Sequence, residues 1–444
     1  MRISFVTLGC KVNQYETEAL AELFAENGYA VAGEGEDADI YLVNSCTVTA
    51  VGDKKTRQML RRMKRRCPKA LIVLTGCYPQ AFPEEAAAIA EADVVTGAKN
   101  RHGLLKAVEA ALQGKRVVAI ESHQKGDPFE PLPVRGLRGR TRAYLKIQDG
   151  CERYCSYCII PKARGRVRSK PLADVAAEAA RLAANGYQEV VLVGINLSSY
   201  GKDLEGVRLV DAVQICCRIE GIRRVRLGSL EPELLTREDL EQMAAEPKFC
   251  PQFHLSLQSG CDRTLKGMNR HYDSAEYRRI AEMIREIFDN PALTTDVMTG
   301  FPGESDEDFA ASMAFVREMA FAKIHVFAYS PRPGTVAADR PDQIPAAVKD
   351  ARSAQMGALA HELRQQFLLS QSGRLEEVLV ETTETPLGYE GLTRNYTPVI
   401  VRCPPSSCGR LIRVRLTAVL DEHCLGELAD VSSSFTASVA DVLI

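Results

Sequence analysis

Residues 142–165 read RAYLKIQDGCERYCSYCIIPKARG, a segment in which a predicted strand runs directly into three closely spaced cysteines. Cys151, Cys155 and Cys158 therefore share one loop at the carboxyl end of that strand. Three thiolates on a compact loop can bind three irons of a [4Fe–4S] cluster and leave the fourth iron open. A structural zinc site is the alternative, but zinc loops usually come as two close cysteine pairs, and no second close pair follows. The loop predicts an iron–sulfur site.

The open iron of such a cluster can bind S-adenosylmethionine through its amino and carboxylate groups. Transfer of one electron to the sulfonium would then release a 5′-deoxyadenosyl radical, which is chemistry that the protein alone does not provide. Five further strands are predicted beyond this one, with helices between them: EVVLVGIN, RRVRLGSL, FHLSLQS, LTTDVMTG and KIHVFAYS. Six such units predict a complete or partial parallel barrel, whose site lies at the carboxyl ends of its strands.

A second set of cysteines ends three predicted strands near the N-terminus. Cys10 follows TLG, Cys46 follows VNS and Cys77 follows LTG. Because the carboxyl ends of parallel strands share one edge of a sheet, these side chains can converge. A single cysteine of this kind is better explained as a small core residue, but three at equivalent positions favour a metal site. The remaining cysteines, including Cys403 and Cys408, are predicted to have packing roles or none.

The composition is that of an ordinary globular protein. The chain has 444 residues, with 45% hydrophobic and 26% charged residues and a formal net charge of −2. This length predicts two to four domains. The first residues lack a signal-peptide pattern and no apolar run is long enough to span a bilayer, so we expect a cytoplasmic protein without a membrane partner. In that compartment the 14 cysteines should stay reduced.

The order of the predicted elements indicates an α/β chain. Residues 1–122 are expected to form a doubly wound parallel α/β domain that carries the first three cysteines. Residues 123–140 are rich in Pro, Gly and Arg and are expected to be a linker. Residues 141–370 are expected to form the partial TIM barrel, and residues 371–444 a small antiparallel β-barrel.

Several motifs resemble those of the radical S-adenosylmethionine methylthiotransferases, over nearly the whole chain. Besides the opening stretch, they are TLGCKVNQYETEAL, NSCTVT, LTGCYPQ, SLQSGCDRTLKGMNRHY, TTDVMTGFPGE and YSPRPGT. The resemblance implies two [4Fe–4S] clusters and S-adenosylmethionine as cofactors. It implies that Cys10, Cys46 and Cys77 bind an auxiliary cluster, that Cys151, Cys155 and Cys158 bind the radical cluster, and that all six are essential for catalysis. It also implies that the last domain is an RNA-binding TRAM barrel.

Within that family, TLGCKVNQYETEAL and RLGSLEP are most similar to the bacterial branch that acts on N6-threonylcarbamoyladenosine in tRNA. The implied reaction replaces the hydrogen on C2 of this adenine, next to the anticodon, with a methylthio group. The implied partners are a tRNA anticodon stem-loop and an electron donor of the flavodoxin or ferredoxin type. Methylthiolation of isopentenyladenosine, or of a ribosomal-protein aspartate, is the alternative within the family. A two-cluster electron carrier or an iron-dependent RNA-binding protein is the alternative without catalysis.

Six further residues are expected to contact the cofactor, because they lie in the cluster loop or at the ends of barrel strands. They are Tyr157, Gly194, Asn196, Glu231, Gln258 and Gly300.

Three basic regions are expected to contact RNA. Residues 54–69 contain nine Lys or Arg and no acid, and residues 134–170 contain eleven Lys or Arg against two acids. The last domain adds Arg394, Arg402, Arg410, Arg413 and Arg415. Phosphate contacts of this kind position a nucleic acid, although basic runs are often no more than solvated faces.

Overall fold

The computed structural model describes residues 1–33, 35–132, 134 and 140–429. Part of the predicted linker and the last residues of the C-terminal domain lie outside the described residues. Among the helices that are described, none is both long enough and apolar enough to cross a membrane.

The N-terminal part is a six-stranded parallel sheet with the order β2-β1-β3-β4-β5-β6. Its strands are β1 (Arg2–Thr7), β2 (Ala30–Val31), β3 (Ile40–Ser45), β4 (Leu71–Gly76), β5 (Val94–Thr96) and β6 (Val117–Ala119). Its helices are α1 (Lys11–Glu26), α2 (Ala50–Arg66), α3 (Cys77–Ala81), α4 (Pro83–Ala87) and α5 (Gly103–Leu112).

Helices cover both faces of this sheet. Successive strand residues point to opposite sides, and apolar residues on both sides pack against helices. In β4, Val73 packs with α1 and α5, while Ile72 and Leu74 pack with α2 and α3. The predicted doubly wound domain is therefore confirmed. The two edge strands β2 and β6 were not predicted; they have two and three residues, too few for a periodic pattern.

The central part contains the six predicted barrel strands, all paired in parallel. The strands of this region are β7 (Arg142–Lys146), β8 (Gln148–Asp149), β9 (Arg168–Ser169), β10 (Glu189–Val193), β11 (Arg224–Leu227), β12 (Ser229–Leu230), β13 (Gln252–Leu255), β14 (Ala292–Thr299) and β15 (Lys323–Ala328). The sheet orders are β11-β10-β7 and β12-β13-β14-β15. Gly228 separates β11 from β12, so one strand continues from the first sheet into the second.

Helices lie between these strands in the sequence, and one long helix follows the last strand. They are α6 (Ile160–Arg164), α7 (Leu172–Ala184), α8 (Leu209–Arg218), α9 (Arg237–Ala244), α10 (Asp262–Gly267), α11 (Ser274–Ile287), α12 (Asp306–Met319) and α13 (Ala346–Ser370). Short 3₁₀ turns cover Leu197–Ser199, Pro232–Leu234, Val336–Asp339 and Pro405–Ser407. The helix starts follow local chemistry: Ser305 and Asp308 form a capping box that begins α12.

The last part is a closed five-stranded barrel with the order β16-β17-β18-β20-β19. Its strands are β16 (Leu375–Thr385), β17 (Gly388–Leu392), β18 (Pro398–Val401), β19 (Leu411–Leu420) and β20 (His423–Leu428). It was predicted to be antiparallel, but β18 and β20 pair in parallel and close the barrel. Two buried arginines of β11 donate hydrogen bonds to backbone carbonyls of this small barrel. Arg224 donates to the Leu392 carbonyl, and Arg226 donates to the Arg394 carbonyl. The small barrel therefore covers the amino-terminal end of the large one.

Candidate active site

The first three predicted cysteines lie together at the carboxyl edge of the N-terminal sheet. Cys10 caps α1 after β1, Cys46 follows β3, and Cys77 begins α3 after β4. In flavodoxin-like sheets, ligands bind where β1 and β3 diverge, which is the position of the first two cysteines. A Cβ atom at Gly9 would lie 2.7 Å from Cys46 Cβ, so the glycine is what allows their close approach.

A buried arginine from the radical-cluster side reaches this first triad. Arg164 ends α6, just after the CxxxCxxC loop, and its Nε donates to Cys77 Sγ at 3.1 Å. Burial raises the pKa of the Cys77 thiol to about 12, and the Arg164 charge opposes that rise. Arg164 itself is completely buried. A single side chain therefore ties the two cysteine sites to each other.

The second triad lies on a loop that neighbouring elements hold firmly. The Cys151 amide donates to the Gly165 carbonyl at 3.0 Å, and the Cys158 amide to the Cys155 carbonyl at 2.9 Å. Ser156 anchors the middle of the loop, with its amide bonded to the Met268 carbonyl at 2.9 Å. The loop's shape is therefore set by the fold, as a preorganised ligand site requires.

A buried arginine also contacts the second triad. Arg270 Nη1 donates to Cys155 Sγ at 3.2 Å, and its Nη2 forms an ion pair with Glu231. Burial raises the pKa of the neighbouring Cys158 thiol to about 12, as does the nearby Cys155. Each triad thus has one guanidinium on one of its sulfurs, which offsets the negative charge that thiolate ligands bring.

A single metal ion requires ligand atoms that lie close together. Zinc–sulfur bonds of about 2.3 Å place tetrahedral thiolates about 3.8 Å apart. Among the described residues, one group of metal-ligating side chains has all its ligand atoms within 4.8 Å of one another, and it contains no cysteine: His254, Asp296 and His325. Neither cysteine triad is part of this group, and the binding of a cluster by either triad stays a prediction.

Two of the predicted cofactor-contact residues have buried acceptor atoms without a partner. Asn196 Oδ1 and Gln258 Oε1 form no hydrogen bond within the described residues. The side-chain nitrogen of Asn196, Nδ2, lies 3.7 Å from Cys151 Sγ on the radical-cluster loop. Gln258 adopts a left-handed backbone with φ of 66°, which is uncommon for a residue with a side chain. An unsatisfied buried acceptor is costly, so both atoms fit the ammonium or hydroxyl groups of S-adenosylmethionine.

The other four predicted contacts have protein partners in the structure. Glu231 pairs with Arg270, and the ring of Tyr157 packs edge-on against Phe301 at 6.5 Å. The Gly300 amide donates to Glu304 at 2.9 Å. A Cβ atom at Gly194 would lie 2.8 Å from Gln148 Oε1. These contacts are compatible with a cofactor site, and cofactor contact at all six positions stays a prediction.

An ionic cluster that was not predicted lies between the two triads. Glu16 is completely buried and binds Arg101, Lys146 and Arg164 at 2.5, 2.7 and 2.5 Å. Burial alone would raise the pKa of Glu16, but these three cations outweigh it and hold that pKa at about 2. Asp149 joins the cluster through Lys146 at 2.6 Å. The partners of Glu16 are 85 to 148 positions away in the sequence, so no local pattern indicates the cluster.

This cluster corrects the interpretation of residues 134–170 as an RNA-binding tract. Most of the basic side chains in this tract are largely or completely buried, and each of them forms an ion pair within the protein. They are Arg142, Lys146, Arg153, Arg164, Arg168 and Lys170. Arg166 is half exposed and pairs with Glu152 at 3.4 Å. Residues 135–139 lie outside the described residues. The region's charge is therefore used mainly for internal cohesion.

A single cavity joins the first triad to the lumen of the large barrel. Its volume is about 740 Å³, within the range of roughly 300–1,000 Å³ that is usual for small-molecule sites. Cys10 and Lys11 line one wall, and Gly194, at the end of β10, lines another. A molecule in this space can contact Cys10 and the carboxyl end of β10 together.

Comparisons with known proteins agree with this arrangement. Residues 2–97 match the uncharacterized protein family UPF0004, and residues 145–316 match the radical SAM superfamily. The chain is 36% identical to the threonylcarbamoyladenosine tRNA methylthiotransferase MtaB of Bacillus subtilis, over 93% of each chain. It is 38% identical to the MtaB of Aquifex aeolicus, over 93% of this chain and 100% of that one. The chain belongs to the tRNA methylthiotransferase family. Radical chemistry with one [4Fe–4S] cluster and S-adenosylmethionine follows from that membership.

Sequence identity does not separate the two kinds of methylthiotransferase in this family. The chain is also 36% identical to a tRNA-2-methylthio-N(6)-dimethylallyladenosine synthase of Pelotomaculum thermopropionicum, over 96% of this chain and 97% of that one. Among solved structures, the methyltransferase TsrM of Kitasatospora setae has a TM-score of 0.56 at 16% identity, covering 76% of this chain and 77% of that one. That likeness shows a shared fold alone.

Proposed function

We propose that this methylthiotransferase modifies C2 of N6-threonylcarbamoyladenosine next to the tRNA anticodon, using a radical cluster on Cys151, Cys155 and Cys158 and an auxiliary cluster on Cys10, Cys46 and Cys77. The observation that carries the proposal is the cavity lined by Cys10 and by Gly194, since it gives one base access to a ligand of the auxiliary site and to the carboxyl end of a barrel strand. When bound, the two clusters would supply the electron for cleaving S-adenosylmethionine and the sulfur to be transferred.

The chain's own residues have distinct parts in this proposal. Asn196 and Gln258 would bind the cofactor through their unsatisfied oxygens. Arg270 would orient the radical-cluster loop through Cys155, and Arg164 would hold the auxiliary site in register with it. We further propose that residues 1–122, 141–370 and 371–444 act as cluster, radical and RNA-binding domains, working in the cytoplasm with a flavodoxin- or ferredoxin-type donor.

The substrate is tested by nucleoside mass spectrometry after anaerobic reconstitution with iron, sulfide, a reductant and S-adenosylmethionine. We expect a methylthio group on tRNA that carries threonylcarbamoyladenosine and none on matched tRNA that carries isopentenyladenosine. Modification of the second tRNA alone would contradict the proposed base. Formation of 5′-deoxyadenosine without change in either tRNA would indicate another substrate, such as a ribosomal protein, and absence of both products would favour an electron carrier.

Two exposed groups of cations support contact with the stem-loop. On α2, Lys54, Lys55, Arg62 and Arg65 are exposed and have no ion-pair partner within the described residues. In the C-terminal barrel, Arg402, Arg410, Arg413 and Arg415 are likewise exposed. Arg394 instead donates to the Pro247 and Phe249 carbonyls, so it serves the contact between the barrels.

Replacing Lys54, Lys55, Arg62 and Arg65 together with Gln should weaken tRNA binding, because each substitution removes one cation that can neutralise a phosphate. We expect the slope of log K against log salt concentration to fall by about one for each cation that bound a phosphate. Filter binding at several salt concentrations measures this slope. A matched variant that replaces Arg61, Lys64 and Arg66, which pair with acidic residues at 3.3, 3.0 and 2.6 Å, should change it less. Equal slopes in the wild-type protein and the first variant would exclude these four side chains from the RNA surface.

A further inference from the structure

Lys11 and Tyr396 both line the shared cavity. Three cations surround the ring of Tyr396, which enters from the C-terminal barrel: Arg226 at 4.4 Å, Arg142 at 5.2 Å and Lys11 at 6.0 Å. Burial alone would raise the pKa of the Tyr396 phenol, but these cations outweigh it and lower that pKa. Of the three cations, Lys11 is the one whose residue lines the cavity.

Lys11 differs from the other two cations in having no acidic partner. Arg142 pairs with Glu381 at 2.9 Å, and Arg226 pairs with Glu189 at 3.0 Å. Within the described residues, no carboxylate oxygen lies within 4.0 Å of the Lys11 ammonium. An unpaired charge in a half-buried position is costly, so its presence here suggests an anion that comes from outside the chain.

The cavity wall contains a single acid among its described residues, and that acid has a partner. Asp296 accepts from His254 Nε2 at 3.2 Å, while His254 Nδ1 contacts Thr294 Oγ1 at 3.0 Å. His325 lies beside them, so these three side chains could coordinate a metal ion. Lys11 and Lys323 line the same cavity, however, and their two positive ammonium groups disfavour a metal cation there. The charge balance favours an anionic occupant.

We infer that Lys11 binds the carboxylate of the threonylcarbamoyl group, and that the substituent on N6 extends from the reacting base into this cavity. This inference rests on the proposed function. Lys11 follows Cys10 directly, and C2 and C6 of adenine flank the same ring nitrogen. A base that presents C2 beside Cys10 can therefore place its N6 substituent on the Lys11 side of the same cavity.

The same contact predicts rejection of an isopentenyl group. That group is uncharged, so it would leave the Lys11 ammonium without a partner while displacing the water around it. A site built for a polar group discriminates strongly against an analogue that lacks it, because the site's own group stays unpaired. Lys11 is thus a specificity-determining residue in addition to the cluster ligands.

The test uses two anticodon stem-loops that differ in one charge, threonylcarbamoyladenosine and its methyl ester. Wild-type holoenzyme should prefer the acid by about ten- to a hundredfold in kcat/KM, the range expected for one charge-assisted hydrogen bond. Lys11→Met should lose that preference by slowing on the acid alone, and Lys11→Arg should restore it. Lys106→Met, an exposed lysine on α5, serves as the control and should keep the wild-type ratio.

Iron content and 5′-deoxyadenosine formation are measured on the same samples, since Lys11 adjoins a cluster ligand. The inference is overturned if the wild-type enzyme treats acid and ester alike, or if Lys11→Met slows both equally with its iron intact. Activity that requires an added divalent ion but ignores the ester would point instead to a metal on His254, Asp296 and His325. If the wild-type enzyme modifies neither stem-loop, the proposed function itself has failed.

Discussion

Cys151→Ala is expected to abolish 5′-deoxyadenosine formation, whereas Cys10→Ala should leave that reaction and abolish methylthiolation. Cys151 belongs to the loop beside Asn196, where the cofactor is expected, and Cys10 lies at the edge of the N-terminal sheet. Each variant should lose about four of about eight irons per chain if each triad holds one [4Fe–4S] cluster. Chromatography of 5′-deoxyadenosine, nucleoside mass spectrometry and iron assay on one preparation measure all three results.

A control for this pair is available among the remaining cysteines. Cys408 lies outside both triads and is half-buried, so Cys408→Ala should change neither iron content nor product. Cys10 is exposed, which makes loss of folding a poor explanation for any effect of its replacement. If Cys10→Ala also stops 5′-deoxyadenosine formation, the two triads do not have separate tasks and the division proposed above is wrong.

The positions of the six cysteines could be predicted because they depend on local patterns. Four of them follow a strand that is a short apolar run ending in Gly, Ser or Asp-Gly, and the other two, Cys155 and Cys158, lie on the same loop as Cys151. Parallel pairing then brings the ends of neighbouring strands to one edge without further information. The same reasoning predicted the doubly wound sheet and the six barrel strands, which the structure confirms.

The charged residues could not be interpreted in the same way. A lysine in a solvated tract and a lysine in a buried ion pair cannot be distinguished in the sequence, because the difference lies in their tertiary partners. Lys146 and Arg164 were therefore grouped with the RNA-binding residues, although their partner Glu16 lies on α1. The positions of Arg164 on Cys77 and Arg270 on Cys155 were missed for the same reason.

Glu16→Gln is expected to destabilise the contact between the N-terminal sheet and the large barrel by about 3–5 kcal/mol. Removing one partner from a buried ion pair leaves the other charges uncompensated, which typically costs this much. The lowered pKa of Glu16 leads to a similar figure, because a shift from 4.5 to about 2 corresponds to about 3 kcal/mol. Hydrogen exchange of the α1 and β7 amides in metal-free protein measures the loss, with α12 as an internal reference.

The pH dependence of this loss distinguishes the charge of Glu16 from its packing. A carboxyl group whose pKa is lower in the folded state stabilises the protein fully above its unfolded pKa, and that contribution disappears as the pH falls toward the folded value. The difference in stability between the wild-type protein and Glu16→Gln should therefore be constant above pH 4.5 and shrink between pH 4.5 and about 2. Glu362→Gln, which breaks an exposed pair with Arg317, should cost at most about 1 kcal/mol at neutral pH. If the stability difference between the wild-type protein and Glu16→Gln is unchanged at pH 3, then packing, and not charge, stabilises this contact.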